Sequence, residues 1–158
     1  MNKRLDILLR KNKEKDRQVA YRQVFLNSGI PEDELDHIAI EESDAISEKV
    51  SRVFANIEPR KETVAAVGNS VPIILKNVYD RLAASVGCYI YTTDVEFCGM
   101  FHTKAQFAVS CSIKVAKLDY QNLVFIVDEK FRYFLSIHYN DKDHIDEPLS
   151  FDVQLKEV

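Results

Sequence analysis

Up to Gly87 the apolar residues of this chain recur at helical spacing, and from residue 88 to the end they recur at every second position. The clearest alternation runs over 105–115. There Phe107, Val109, Cys111, Ile113 and Val115 interleave with Gln106, Ala108, Ser110, Ser112 and Lys114. Successive side chains of a strand point to opposite faces, so this stretch predicts a strand with one bulky apolar face and one small polar face. Such a strand belongs in an antiparallel sheet packed on one side. Further strands are predicted over 88–93, 95–102, 123–127, 132–139 and 151–156, separated by short polar segments that suit hairpins.

Before Gly87 the reading is helical. One helix is predicted over 2–26, closed by Asn27-Ser28-Gly29, with the all-polar stretch 10–18 in its middle. Pro31 and the carboxylates Glu32, Asp33 and Glu34 suit a helix start, and Leu35, Ile38 and Ala39 continue its spacing. The spacing resumes through Ile46, Val50, Val53, Phe54 and Ile57 after an interruption over 41–44, which predicts either two helices, with Ser43 capping the second, or one with a break. A short helix over 61–67 comes next. A longer one starts at Ser70, whose stripe of Val71, Ile74, Leu75, Val78, Tyr79 and Leu82 suits a lid over the sheet.

Helices first and strands afterwards is the order of an α+β fold. The expectation is N-terminal helices followed by a mostly antiparallel five- to six-stranded meander sheet, with helices packed on one face. One domain is expected over 1–158, helical over 1–86 and sheet over 87–158.

At 46% apolar and 29% charged, the chain has globular composition, which argues against disorder. Its apolar runs, 71–75 and 123–127, are far shorter than the ~20 residues a membrane-spanning helix needs. The basic N-terminus lacks the long apolar core of a secretory signal. Cys88, Cys98 and Cys111 are an odd set without a CxxC pair, which fits reduced, buried thiols and a cytoplasmic location.

Net charge is −4, unevenly spread. Residues 1–26 hold eight Lys and Arg against three acids, and residues 27–58 hold nine acids against two bases. A basic tip beside an acidic segment either steers a charged partner or folds back on itself. The acidic balance opposes nucleic acid, although Tyr21 sits among the N-terminal bases. On 132–139 the alternation leaves Phe134, Ser136 and His138 facing outward, and Phe134 is an aromatic anchor of the kind protein interfaces use. Asp141, Asp143, His144, Asp146 and Glu147 follow in a polar loop. Without the glycine of a calcium loop or the ligand spacing of a zinc site, these acids suit a recognition patch better than a metal.

Catalytic signatures are weak. Asp128-Glu129-Lys130 contains Asp-x-Lys, which with Asp119 or Asp94 matches the acids and lysine of Mg²⁺-dependent nucleases of the PD-(D/E)xK type. Cys98 with His102, or Cys111 with His138, pairs a thiol with a base, but a thiol on an apolar face is inert. No glycine-rich phosphate loop is present.

In profile the chain resembles the small acidic proteins that neutralise a bacterial toxin or escort a secreted effector. That resemblance implies a protein-binding module with no catalysis, no metal and no cofactor, and a partner that is basic. Its contact residues would be Glu41, Glu42, Asp44, Phe134, His138, Asp141, Asp143, His144, Asp146 and Glu147, with Glu32, Asp33 and Glu34 adding to the steering charge. The alternative is the nuclease, using Asp119, Asp128 and Lys130. Self-association through sheet edges or the N-terminal helix is a third arrangement.

Overall fold

The structure, a computed structural model, describes residues 2–13, 15–65, 80, 87–140 and 150–158. Among them are five α-helices and a seven-stranded sheet. The helices are α1 (Lys3–Lys13), α2 (Lys15–Asn27), α3 (Ile40–Phe54), α4 (Val95–Cys98) and α5 (Ala105–Leu118). The strands are β1 (Asp36–Ile38), β2 (Arg60–Ala65), β3 (Gly87–Tyr91), β4 (Met100–Lys104), β5 (Leu123–Asp128), β6 (Tyr133–Asn140) and β7 (Ser150–Glu157). Their order across the sheet is β1-β4-β3-β5-β6-β7-β2, and every neighbouring pair is antiparallel. The α+β class is as the sequence predicts, with slightly more strands.

The main correction falls on the stretch that alternates best. Residues 105–115 form most of α5 and are not a strand. β4 and β5 both pair antiparallel with β3 and so run parallel to each other, and a parallel return needs a crossover, usually a helix. α5 is that crossover. Its exposed positions are Ser110, Lys114 and Lys117, at helical spacing, while Ala105, Ala108, Ser112 and Ala116 are 0–1% exposed. Of the residues that read as a small polar strand face, Ala108 and Ser112 join Ala105 and Ala116 on the close-contact face of a helix, where small side chains let the backbone approach the strands, while Ser110 and Lys114 face outward. Phe107, Ile113 and Leu118 pack at its flanks.

Other boundaries shift for related reasons. Within 95–102, Val95–Cys98 is a helical turn and only the end enters β4. Gly99 makes this junction at φ 74° and ψ −164°, and a Cβ there would collide with the Ile38 carbonyl of β1. The helix expected over 61–67 is strand β2, paired to β7 from Arg60↔Leu155 to Ala65↔Ser150. Residues 31–39 give a 3₁₀ turn, Glu32–Glu34, and then the edge strand β1. Ser43 does not cap α3, whose N-cap is Ala39. It is buried in the first turn, where its hydroxyl donates to the Ile38 carbonyl and accepts the Met100 N–H. The helix predicted over 2–26 is helical over its described residues, 3–13 and 15–27, and β1 and β2 bring the N-terminal half into the sheet. The meander is confined to β5, β6 and β7. The helix expected from Ser70 falls almost wholly outside the described residues.

Strand parity in β6 and β7 is as read from sequence. Tyr133, Leu135, Ile137 and Tyr139 are buried, as are Phe151, Val153 and Leu155. They join Ile90, Val124 and Ile126 and the faces of α2 and α5 in the larger core cluster. On the other sheet face Tyr91, Met100 and Val127 meet Ile46, Val50 and Phe54 of α3. Helices thus cover both faces, because both strand faces carry aromatic or branched residues in their central rows. Both sheet edges are guarded: β1 is three residues long, and β2 opens on the charged Arg60, Lys61 and Glu62.

Gly99→Ala should lower unfolding free energy by roughly 1–3 kcal/mol, because the backbone conformation admits little but glycine. Gly29→Ala, at φ 92° with nothing within 4 Å of its Cβ, should cost less. Denaturant midpoints measure both. Among the described residues Tyr133 Oη is buried without a hydrogen-bond partner. Tyr133→Phe should therefore leave stability unchanged or raise it by up to about 1 kcal/mol in the same assay.

Candidate functional site

The acids proposed for metal chemistry are occupied by the turns that hold them. Asp119 is buried at the end of α5, where its carboxylate accepts the Thr93 hydroxyl at 2.5 Å and the N–H groups of Gln121 and Leu123. Asp128, buried at the other end of β5, accepts two hydrogen bonds from the Arg132 guanidinium, at 2.7 and 3.0 Å, and one from its N–H. Burial pushes its carboxyl up, but the Arg132 bonds outweigh this and hold it below the ordinary carboxylate range. A six-residue strand separates the two acids by roughly 20 Å. Lys130 is exposed in the hairpin turn. Asp94 accepts Tyr21 Oη at 2.7 Å and Arg17 Nε at 2.9 Å, clamping α2 to the loop after β3. The structure does not bring Asp94, Asp119, Asp128 and Lys130 together, and no group of three or more His, Cys, Asp or Glu among the described residues is placed to hold a metal.

The thiols are equally committed. All three cysteines are buried and none is in a disulfide. Burial raises the Cys88 thiol far above its usual range and pushes Cys111 up to about 12. Cys111 lies on α5, so the cross-strand pair with His138 does not form. His102 points to Glu129, its Nε2 lying 2.8 Å from the carboxylate, with Tyr89 edge-on to its ring. Gly87 makes room for this pair, since a Cβ there would collide with the His102 ring. The Tyr89 hydroxyl is raised by burial and then by Glu129 and Glu42. The pair ties β4 to the β5–β6 hairpin.

The residues expected to meet a partner divide. Glu41 and Glu42 are exposed on the first turn of α3. Asp44 is not a free steering charge, because Arg10 of α1 grips both its oxygens at 2.7 and 2.8 Å. Arg22 pairs with Glu32 and Lys104 with Glu34, so basic and acidic segments partly neutralise each other. Phe134 is not an open anchor: it stacks on Phe125 and lies 5.8 Å from the Phe54 ring. His138 is partly exposed, 4.0 Å from Asp152. Asp141, Asp143, His144, Asp146 and Glu147 lie outside the described residues.

Among the described residues, one flank of α1 carries a row of apolar side chains without a structural task. Ile7 is buried and Arg10 bonds both Asp44 and the Glu96 carbonyl, which fixes the helix on α3 and α4. Leu5, Leu8 and Leu9 are then left 50%, 49% and 56% exposed, at positions i, i+3 and i+4. Three half-exposed leucines offer on the order of 100–200 Å² of apolar surface, and covering it is worth roughly 2–4 kcal/mol. Beside them lies an open groove of ≈ 610 Å³ lined by Ile7, Leu8, Arg4, Lys11 and Glu41 among others. Sequence reasoning offered the N-terminal helix as a surface for self-association but named none of these leucines as contacts. The signal was there in the Leu spacing, bounded by the all-polar stretch that follows.

No protein-family model matches the chain, and neither does any curated protein or solved structure. No helix among the described residues is long and apolar enough to cross a membrane.

The Asp128–Arg132 pair sets a pH dependence. A carboxyl depressed in the folded state adds stability above its ordinary pKa of about 3.9, and that stability is lost as pH falls through the lower folded value. Asp128→Asn should flatten the acid limb of a stability–pH profile. Arg132→Gln should cost about 1–3 kcal/mol at neutral pH, since it leaves a buried carboxylate short of donors.

Proposed function

We propose that the chain is a protein-binding module that neutralises or escorts a partner protein, in the manner of toxin-immunity proteins or effector chaperones, and does so without catalysis. The observation that carries this is the leucine row of α1. It is apolar, half exposed, and held in place by the Arg10–Asp44 clamp rather than left to fray. A rigid helix face binds with little ordering cost, and the mixed rim of Arg4, Lys11 and Glu41 supplies orientation. Glu41, on the rim of that groove, and Glu42, the next residue of α3, stand exposed, available to steer a basic partner on approach. Three buried cysteines outside any disulfide suit a reducing cytoplasm.

Affinity capture of the tagged chain from its native cells, followed by reconstitution with the purified partner, tests the reading. The expected result is a one-to-one complex, weakened by salt and by Glu41→Lys with Glu42→Lys. A chain recovered alone after crosslinking would sink it.

A further inference from the structure

We infer that the α1 leucine row seats a short amphipathic helix of a partner protein, one whose apolar stripe is flanked by carboxylates. This rests on the binding-module reading and names the segment recognised. Leu5, Leu8 and Leu9 form a ridge, and the groove beside it is floored by Ile7 and Leu8. A helix laid along it can set its own i, i+3 or i+4, and i+7 side chains into that groove, the usual helix-in-groove contact. α1 has 11 residues, about 16 Å, so it presents roughly three turns to such an occupant.

Charge fixes the rest. Arg10, Arg17 and Arg22 are engaged by Asp44, Asp94 and Glu32 of this chain. Lys3, Arg4 and Lys11, which rim the groove, make no ion pair among the described residues. Carboxylates on the docking helix complete them, and a basic position against Glu41, within a partner that is basic elsewhere, keeps the steering by Glu41 and Glu42. A second copy fits poorly. It would oppose two identical rows of Lys3, Arg4 and Lys11, and the leucines offer far less than the ~800 Å² each subunit gives to a stable interface. An anionic bilayer fits poorly too, because Glu41 and Glu42 would be pressed against headgroups of their own sign.

The test pans the full chain against an unbiased phage-displayed library of peptides of about 16 residues, long enough for four turns. Selected peptides are then titrated by fluorescence anisotropy against the parent chain. They are also titrated against a Leu5→Ser/Leu8→Ser/Leu9→Ser variant and a Lys3→Glu/Arg4→Glu/Lys11→Glu variant. All six positions are at the surface, and circular dichroism checks that both variants fold. The expected peptides carry apolar residues at three- and four-residue spacing with Asp or Glu beside them. They should bind micromolar, fall at least about tenfold on either variant, and weaken with salt.

Peptides without that pattern, or peptides indifferent to both variants, overturn the inference. So does leucine-dependent dimerisation in sedimentation, or leucine-dependent flotation with phosphatidylserine vesicles. A native partner kept by the leucine variant overturns this inference while leaving the binding module standing, whereas absence of any native partner overturns the module itself.

Discussion

The contact on which the architecture depends is the close approach of α5 to the sheet. Ala105, Ala108, Ser112 and Ala116 present almost no side chain, so the helix settles directly on β3, β4, β5 and β6. That contact allows β4 and β5 to flank β3 in parallel, and it fixes where β5, β6 and β7 then meander. A larger residue in this row would lift the helix off the strands, and tightly packed interiors accommodate such changes badly. The second face has its own helix, α3, whose Ile46, Val50 and Phe54 cover Tyr91, Met100 and Val127. The sheet is therefore a middle layer, and its central rows are apolar on both sides.

The charged N-terminal third is organised around this layer. Arg17 and Tyr21 reach Asp94, Arg17 also donates to the Leu118 carbonyl at the end of α5, and Arg10 spans Asp44 and Glu96. Ion pairs at a surface contribute little each, but those made by Arg10 and Arg17 also satisfy backbone carbonyls and so fix where α1 and α2 lie. One consequence concerns the surface. Because α1 is held by a buried isoleucine and a bidentate arginine, its leucines are displayed on a rigid support instead of collapsing inward.

The carboxylates and thiols that invite a catalytic reading are tied into turns, strand junctions and the core. Asp119 and Asp128 close opposite ends of β5, and the His102–Glu129 pair links β4 to the next hairpin. These networks leave over an apolar ridge, the exposed pair Glu41 and Glu42, and Lys3, Arg4 and Lys11, which make no ion pair among the described residues, and it is these that the proposed binding role would use.

By itself the sequence determined the α+β class, the helical N-terminal start, the strands after Asn122 and their inward and outward parity, and the segregation of charge. These follow from periodicity and charge, which are local. Only the tertiary structure decided that 105–118 is a helix, because Phe107, Val109, Cys111, Ile113 and Val115 alternate while Ala105, Ala108, Ser112 and Ala116 recur at helical spacing, and the two patterns occupy the same residues. The crossover between parallel strands, a long-range demand, selects the second. For the same reason Arg60–Ala65 became an edge strand once β7 offered a partner, and Phe134 and Asp44 lost their outward roles to Phe54 and Arg10, side chains distant in sequence. Which leucines stay uncovered depends on which neighbours arrive, and that is settled only when the chain is folded.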